Sequence, residues 1–536
     1  MSTLSHVTVE DRVAHVALPS SLSRTVLDQI DTALTHLQSD DSIDVVVLTG
    51  TSAFPSGMTD PRAGGDDTDN ALSDICRRIE TFEKPVIAML SGTVVGGGAE
   101  LALACHYRLA HVATRIGFPH RRMGLIPHAG ATQRLPRLVG ANGALYLLLG
   151  GQLLPVTAPA LGPLLDMRFE TNAFETLMSF IGTLRDAGLA TRPTSDRRDG
   201  FADAQGYGKV IAKTRQQMSA SVENAPKHIL SCLEAAMLLP IEAGLAFEQA
   251  AYDDCVSTAQ SRALTHIFAA EQTVDTNTRR RDGPQISKIA VLGGGPFASG
   301  VVLSALESGM QVKWVIAKPD QQRDSVGHVL AQLQKAVATG RISAETAKQC
   351  QTALSYGEDA TSLDDVDLAL RAARGQRGVA VPSHVPLAHC LPGADPKLAL
   401  RFGPALPERR LLEVVLGPEA DETDQRISLA LARRMKLLAV VAQSDMGSVS
   451  DRLNRALWRA ADGLVDLGHS PYDIDTALKS WGMPRPPFAA ADAHGISNVA
   501  KHTRPAGGTN WSQTLVEHGI SGFYSSEDAP APSPDA

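Results

Sequence analysis

The sequence predicts an α/β protein of more than one domain. Its 536 residues exceed what one apolar core usually organises. Twice, at Lys84–Glu100 and at Lys288–Gly300, an apolar strand pattern runs into a glycine cluster and then into a helix pattern. A long stretch of helical spacing lies between these two units, from residue 209 to about 272.

The elements follow in order. Val7 to Leu18 reads as the first strand, and Ser23 caps a helix whose Leu27, Ile30, Leu34 and Leu37 fall at helical spacing. Val45–Leu48 is a short buried strand. Thr51–Asp60 is a loop, and the Gly/Asp-rich run through Asp69 leads to the helix before Lys84. Val86 to Leu90 is again a buried strand, and Gly96 to Gly98 let the backbone turn tightly before a helix with Glu100 in its first turn. Thr191 to Gln205 is polar and broken by proline and glycine, a pattern that predicts a surface excursion. Thr276 to Pro284 reads as a charged linker, a new domain opens at Ile286, and Ser525 to Ala536 has the composition of a disordered tail.

Fifty lysines and arginines against 58 aspartates and glutamates give a net charge of −8. With a pI near 6.1 and scattered basic residues, the chain lacks an electrostatic footprint for nucleic acid. The six cysteines are too widely spaced for a metal cluster or a disulfide framework, so a reduced, cytoplasmic protein is expected. No apolar run reaches bilayer length. The strand pattern at Val7 leaves no room for a signal peptide, and the closing Pro-Asp-Ala536 is not a peroxisomal address.

A strand, a glycine turn and a helix with an acid in its first turn place bare N–H groups beside a carboxylate, which suits developing negative charge. The stretch Gly-Gly-Gly-Ala-Glu100-Leu-Ala-Leu-Ala-Cys105, with Gly117-Phe-Pro-His120 and Gly124 to Arg137, resembles the crotonase (enoyl-CoA hydratase/isomerase) superfamily. The resemblance implies a ββα spiral, a coenzyme A thioester as substrate, and backbone N–H groups of Ser56 and Gly97 as oxyanion donors. It also implies two catalytic carboxylates. The first maps onto Glu100; the second falls in a Pro-Glu pair twenty residues on, which is Pro119-His120 here. Imidazole titrates near neutrality, so His120 is a chemically sensible base for a water.

The second glycine turn carries G-x-G-x-x-A, with Gly293, Gly295 and Ala298 in the three places, after a strand and before a helix. Ser261–Glu271 looks like the connecting helices of bifunctional hydratase/dehydrogenase enzymes of fatty-acid β-oxidation, and the segments near Glu413, Ser428–Ala442, Asp451–Trp458 and Pro471–Leu478 resemble 3-hydroxyacyl-CoA dehydrogenases. The implied layout is a crotonase-like acyl-CoA domain (1–208), a helical linker (209–284), an eroded Rossmann-like NAD-binding-type domain (285–418), a helical C-terminal domain (419–522) and a tail (523–536). A second helical repeat is not expected.

Several dehydrogenase residues are replaced. The ribose-binding acid at the end of the second strand is Ile316, the catalytic histidine twelve positions before Glu413 is Arg401 (or Leu400 with a gap), the family asparagine is Asp451 and a family glutamate is Arg371. Only about five residues separate the strand pattern ending near Ala372 from the next at Gly378–Val381. A parallel crossover needs about a dozen, so a crossover helix is expected to be missing. This half is expected not to oxidise 3-hydroxyacyl-CoA, and NAD is in doubt; an intact bifunctional hydratase/dehydrogenase is the alternative.

Three readings of the first half stay open: hydration or isomerisation of an enoyl thioester through Glu100 and His120; hydrolysis of a thioester or a carbon–carbon bond with His120 activating water; and acyl-CoA binding without turnover. Association into oligomers or with β-oxidation partners is left open too. Arg121 and Arg122 read as a solvated charge run or as contacts to coenzyme A phosphates. His128 is placed to narrow the acyl pocket, and Met58 and Phe118 read as core or pocket wall.

Overall fold

The computed structural model describes residues 7–55, 57, 66–219, 221–280, 283–338, 341–357, 362–373, 380–391, 397–403, 411–444, 447–502 and 507–524. Ser56, Met58 and the tail from Ser525 lie outside them. The chain divides into two compact units, Met1–Ala269 and Ala270–Ala536.

In the first unit, β1 (Val7–Glu10) and β2 (Val13–Leu18) form an antiparallel hairpin rather than one strand, because Asp11 and Arg12 take positive φ and reverse the chain. Helix α1 (Arg24–Gln38) begins at Ser23, whose hydroxyl accepts the Val26 N–H at 3.4 Å, and buries Leu27, Ile30, Leu34 and Leu37. Then come β3 (Val45–Gly50), α2 (Asp66–Glu80), β4 (Val86–Leu90), β5 (Thr93–Val95), α3 (Gly97–Ala104), β6 (Tyr107–His111), β7 (Arg115–Gly117), α4 (Ala131–Gly150), β8 (Leu154–Pro155), β9 (Met167–Phe169) and α5 (Ala173–Asp186). The main sheet has the order β1-β2-β3-β4-β6-β9, parallel from β2 onward. A small second sheet, β5-β7-β8, stands beside it. The parallel strand β4 is buried along its whole length, as a strand covered on both faces should be.

Helices α6 (Ala204–Gln217), α7 (Ala225–Leu238) and α8 (Ile241–Ser257) put Tyr207, Ile229, Leu233, Tyr252 and Cys255 into the same apolar core as α1, α3 and α4. Residues 191–205 run over the surface, exposed or half-buried apart from Thr194 and Phe201, and are anchored where the Ser195 N–H donates to Glu80 at 2.7 Å. Helix α9 (Ala259–Arg280) continues through most of the expected charged linker.

The second unit holds β10 (Lys288–Leu292), α10 (Pro296–Glu307), β11 (Gln311–Val315), α11 (Pro319–Ala338), α12 (Ala344–Thr352), β12 (Leu354–Gly357), β13 (Leu368–Arg371), β14 (Leu387–His389), β15 (Leu398–Phe402), β16 (Leu411–Leu416), α13 (Glu422–Arg434) and β17 (Leu438–Gln443). The order β12-β11-β10-β13-β14-β15-β16-β17 is parallel through β15, while β16 and β17 run the other way. Strand order reverses beside β10, where ligands enter doubly wound sheets, and the second glycine turn sits there. The strand after β13 is Leu387–His389 and not the Gly378–Val381 pattern. The described part of the connection still contains no helix, so β13 and β14 are parallel neighbours without a helical crossover there. Helices α14 (Val449–Asp466), α15 (Pro471–Ser480), α16 (Pro487–His494), α17 (Ile496–His502) and α18 (Trp511–Glu517) gather around a separate core of Ile474, Phe488, Val499 and Leu515.

All six cysteines are buried and free of disulfides. Among the described residues no helix is long and apolar enough to cross a membrane.

Candidate active site

Strand β5 ends at Val95 and the chain turns through Gly96, whose φ of 58° and ψ of −125° are open only to glycine. Helix α3 is built from small and aliphatic residues and is buried throughout, so it carries Glu100 into the core with no exposed atom. The Ala129 and Ala131 N–H groups donate to Oε1 of Glu100 at 2.7 and 3.4 Å. Its Oε2 is buried and has no hydrogen-bond partner among the described residues. Burial first, and then the facing carboxylate of Glu248, hold the Glu100 carboxyl well above the ordinary carboxylate range. Both effects favour its protonated form.

The loop that receives Glu100 is held by two further groups. Glu248, fully buried on α8, accepts the Gly130 N–H at 2.6 Å, the Thr132 N–H at 2.8 Å and the Thr132 hydroxyl. Arg134 reaches from α4 to donate to Oε2 of Glu80 at 2.8 and 3.1 Å and to the Ala129 carbonyl at 2.7 Å, and this ion pair is buried. Gly130 has φ +99°, and a Cβ there would stand 1.9 Å from Arg134 Nη1, so this loop requires a glycine.

His120 lies in the short 3₁₀ turn Pro119–Met123 and is buried. Its Nδ1 has no hydrogen-bond partner among the described residues. Burial, and secondarily the nearby His128, lower its pKa to about 3, so the ring is neutral at neutral pH and a weaker base than a free imidazole. His128 packs its ring 4.5 Å from that of Tyr252 on α8. Phe118 is fully buried and stacks 6.4 Å from His120. Arg121 donates to Glu223 at 2.8 Å and to the Leu149 carbonyl at 2.7 Å, and Arg122 lies over the Phe268 ring. Both arginines are engaged within the unit.

Of the two expected oxyanion donors, Ser56 lies outside the described residues. The Gly97 N–H donates to the Gly57 carbonyl at 2.9 Å, and Gly57 and Gly96 form an isolated parallel bridge. The loop before α2 thus occupies the Gly97 donor itself.

In the second unit, Gly293 and Gly295 take φ of +111° and +102° where β10 meets α10, and Ala298 is fully buried in that helix. A Cβ on Gly293 would lie 2.2 Å from that of Ala373. The Gly295 N–H donates to Ser325 Oγ of α11 at 3.0 Å. Ile316 is fully buried after β11, and Arg371 ends β13. Arg401 stands opposite Glu413 across the antiparallel β15/β16 pair, yet the two do not pair with each other. Instead Arg401 donates to Asp451 at 2.9 Å and to the His389 carbonyl at 2.8 Å. Glu413 accepts from Ser448 Oγ at 2.8 Å, from the Val449 and Ser450 N–H groups at 2.6 and 3.1 Å and from the Ser450 hydroxyl, at the start of α14. Burial would raise its pKa, but these hydrogen bonds outweigh it and hold the carboxyl below its ordinary value.

Comparison with known proteins matches residues 3–160 to the enoyl-CoA hydratase/isomerase family model. Residues 288–376 match the 3-hydroxyacyl-CoA dehydrogenase NAD binding domain. The peroxisomal bifunctional enzymes of Cavia porcellus and Danio rerio are 26% and 28% identical to the chain, each over 89% of it and 70% of their own length. A peroxisomal fatty acid beta-oxidation multifunctional protein of Arabidopsis thaliana is 28% identical over 89% of the chain and 71% of its own.

Within the hydratase/isomerase unit, sequence reasoning placed Glu100 and His120 but passed over Glu248, Glu80 and Arg134. A signal for Glu248 was there. Gly244, Glu248, Ala251, Tyr252 and Cys255 share the buried face of α8, and a carboxylate on such a face needs dedicated partners.

Proposed function

We propose that the hydratase/isomerase unit adds water across the double bond of a 2-enoyl thioester of coenzyme A, with His120 as base and Glu100 as acid. What supports this is a buried carboxyl whose Oε2 has no hydrogen-bond partner and a buried imidazole whose Nδ1 has none among the described residues. Hydration needs one acid and one base. His120 takes a proton from water as the hydroxide oxygen bonds to C3, and the electron pair of the double bond moves into the thioester as an enolate. Glu100 then delivers its proton to C2, and solvent returns the His120 proton to Glu100. This exchanges the role first expected of Glu100, because its burial favours the protonated form.

The enolate oxygen takes the Gly97 N–H in place of the Gly57 carbonyl, so substrate binding displaces that loop contact. A fixed N–H aimed at developing charge is worth several kcal/mol, which is enough to drive a loop carbonyl aside.

The second unit does not oxidise 3-hydroxyacyl thioesters in this reading. Its residues do not fit NAD. The Gly295 N–H is already taken by Ser325, Ile316 offers no acceptor for a ribose hydroxyl, and Arg401, locked to Asp451, stands where a proton-accepting imidazole would be needed. No hydride step is assigned to it. Six free buried thiols fit a reducing compartment.

The test follows loss of the enoyl thioester absorbance of crotonyl-CoA and of a longer 2-enoyl-CoA. His120→Ala is expected to lower kcat by about 10²-fold. Turnover by wild type that is unchanged in this variant would remove His120 from the mechanism, and coenzyme A release by wild type would favour thioester hydrolysis instead. With 3-hydroxybutyryl-CoA and NAD, no reduced cofactor is expected; formation at an enzymatic rate would overturn the reading of the second unit.

A further inference from the structure

The four consecutive N–H groups of Ala129 to Thr132, which lead into α4, are divided between two carboxylates from different helices. Ala129 and Ala131 serve Glu100 on α3, while Gly130 and Thr132 serve Glu248 on α8. The two acids interleave on one helix N-terminus, and both are fully buried. From this geometry we propose that Glu248 is a positioning residue for Glu100: it pins alternate N–H groups of the shared turn, fixing the lock on Glu100 Oε1 and leaving Oε2 free to face the substrate. The inference rests on the acid role given to Glu100 above.

The argument is geometric first. An α-helix opens with N–H groups that have no partner within the helix, and each carboxylate can accept from more than one of them. If Glu100 alone served this turn, Gly130 and Thr132 would be buried without acceptors and the turn could rotate to offer them to Glu100. That would draw Oε2 into the same hydrogen bonds. Glu248 removes the incentive by satisfying both groups and the Thr132 hydroxyl. Its second effect is electrostatic. The charged or titratable groups facing Glu100 are Glu248 from α8, Arg134 from α4 and Cys76 from α2, and of these Glu248 contributes most to keeping the proton on. The linker helix α8 thereby reaches the reacting carboxyl without touching substrate.

The test uses the full chain. In Glu248→Gln one oxygen can still accept, but the amide NH₂ faces the remaining N–H as donor against donor, and the negative charge is gone. With ¹³C-carboxyl glutamate labelling, the Glu100 titration, assigned by its loss in Glu100→Gln, is expected to move down by about one pH unit. If the unit hydrates crotonyl-CoA, the alkaline loss of rate moves down with it, and kcat falls while KM holds. Thr132→Val, which removes only the hydroxyl contact, should shift the same titration in the same direction by less. A folded Glu248→Gln protein whose Glu100 titration is unmoved would overturn the proposal whether or not wild type turns over. Absence of hydration with a shifted titration would instead refute the reaction and leave the positioning role standing.

Discussion

Glu100→Gln is expected to lower kcat/KM for crotonyl-CoA hydration by about 10²–10⁴-fold, the range lost when a positioned acid or base is removed. The amide keeps the shape of the carboxyl and one acceptor for the Ala129 N–H at 2.7 Å, so the loss falls on proton delivery and not on the turn. A second readout separates chemistry from folding. With its carboxyl raised by burial, Glu100 is expected to keep its proton in the folded state above the range where the unfolded chain loses it, so folding takes up a proton there and stability falls as pH rises. Its contribution is full below that range and is lost as pH climbs through its raised value. The glutamine variant cannot ionise, so the stability of wild type relative to it should drop by up to about 1.4 kcal/mol per pH unit across this window. A pH-independent difference would mean that Glu100 is ionised in the folded protein, and retained hydration by the variant would exclude it as the acid.

Arg134→Met should be the most damaging single change to stability in the first unit, costing about 3–5 kcal/mol. It leaves the Glu80 carboxylate buried without its guanidinium and leaves the Ala129 carbonyl without the Nη1 donor at 2.7 Å. Ala129 is the residue whose N–H holds Glu100, so catalytic geometry loosens with the fold. All four tryptophans (Trp314, Trp458, Trp481 and Trp511) lie beyond the first unit, so hydrogen exchange of the α4 amides is the suitable probe. The double variant Glu80→Leu/Arg134→Met should recover part of the loss, because no lone charge remains. A change below about 1 kcal/mol in the single variant would show that water reaches Glu80 and that the pair is not sealed.

The glycine turns at Gly96 and at Gly293–Gly295, the caps, the buried strands and the positions of Glu100 and His120 were legible in the chain because each rests on local rules. A turn needs glycine where φ is positive, a parallel strand needs an unbroken apolar run, and an acid after a glycine turn sits at a helix start. The replacements Arg401 and Asp451 were likewise visible by position. Their pairing with each other, and the capture of Glu413 by Ser448 and Ser450, were not. Partner choice among buried charges depends on which side chains the sheet register brings together.

The same limit hid Glu248, which lies 148 positions beyond Glu100 in number and meets it only through the N–H groups of a third helix. By itself the sequence determined the two α/β cores and the chain positions of Glu100 and His120. Tertiary structure decided the surroundings that shift their pKa values, because burial and facing charge are properties of packing. It also decided that the Gly97 N–H is held by Gly57, since a backbone donor selects whichever acceptor the fold places within reach.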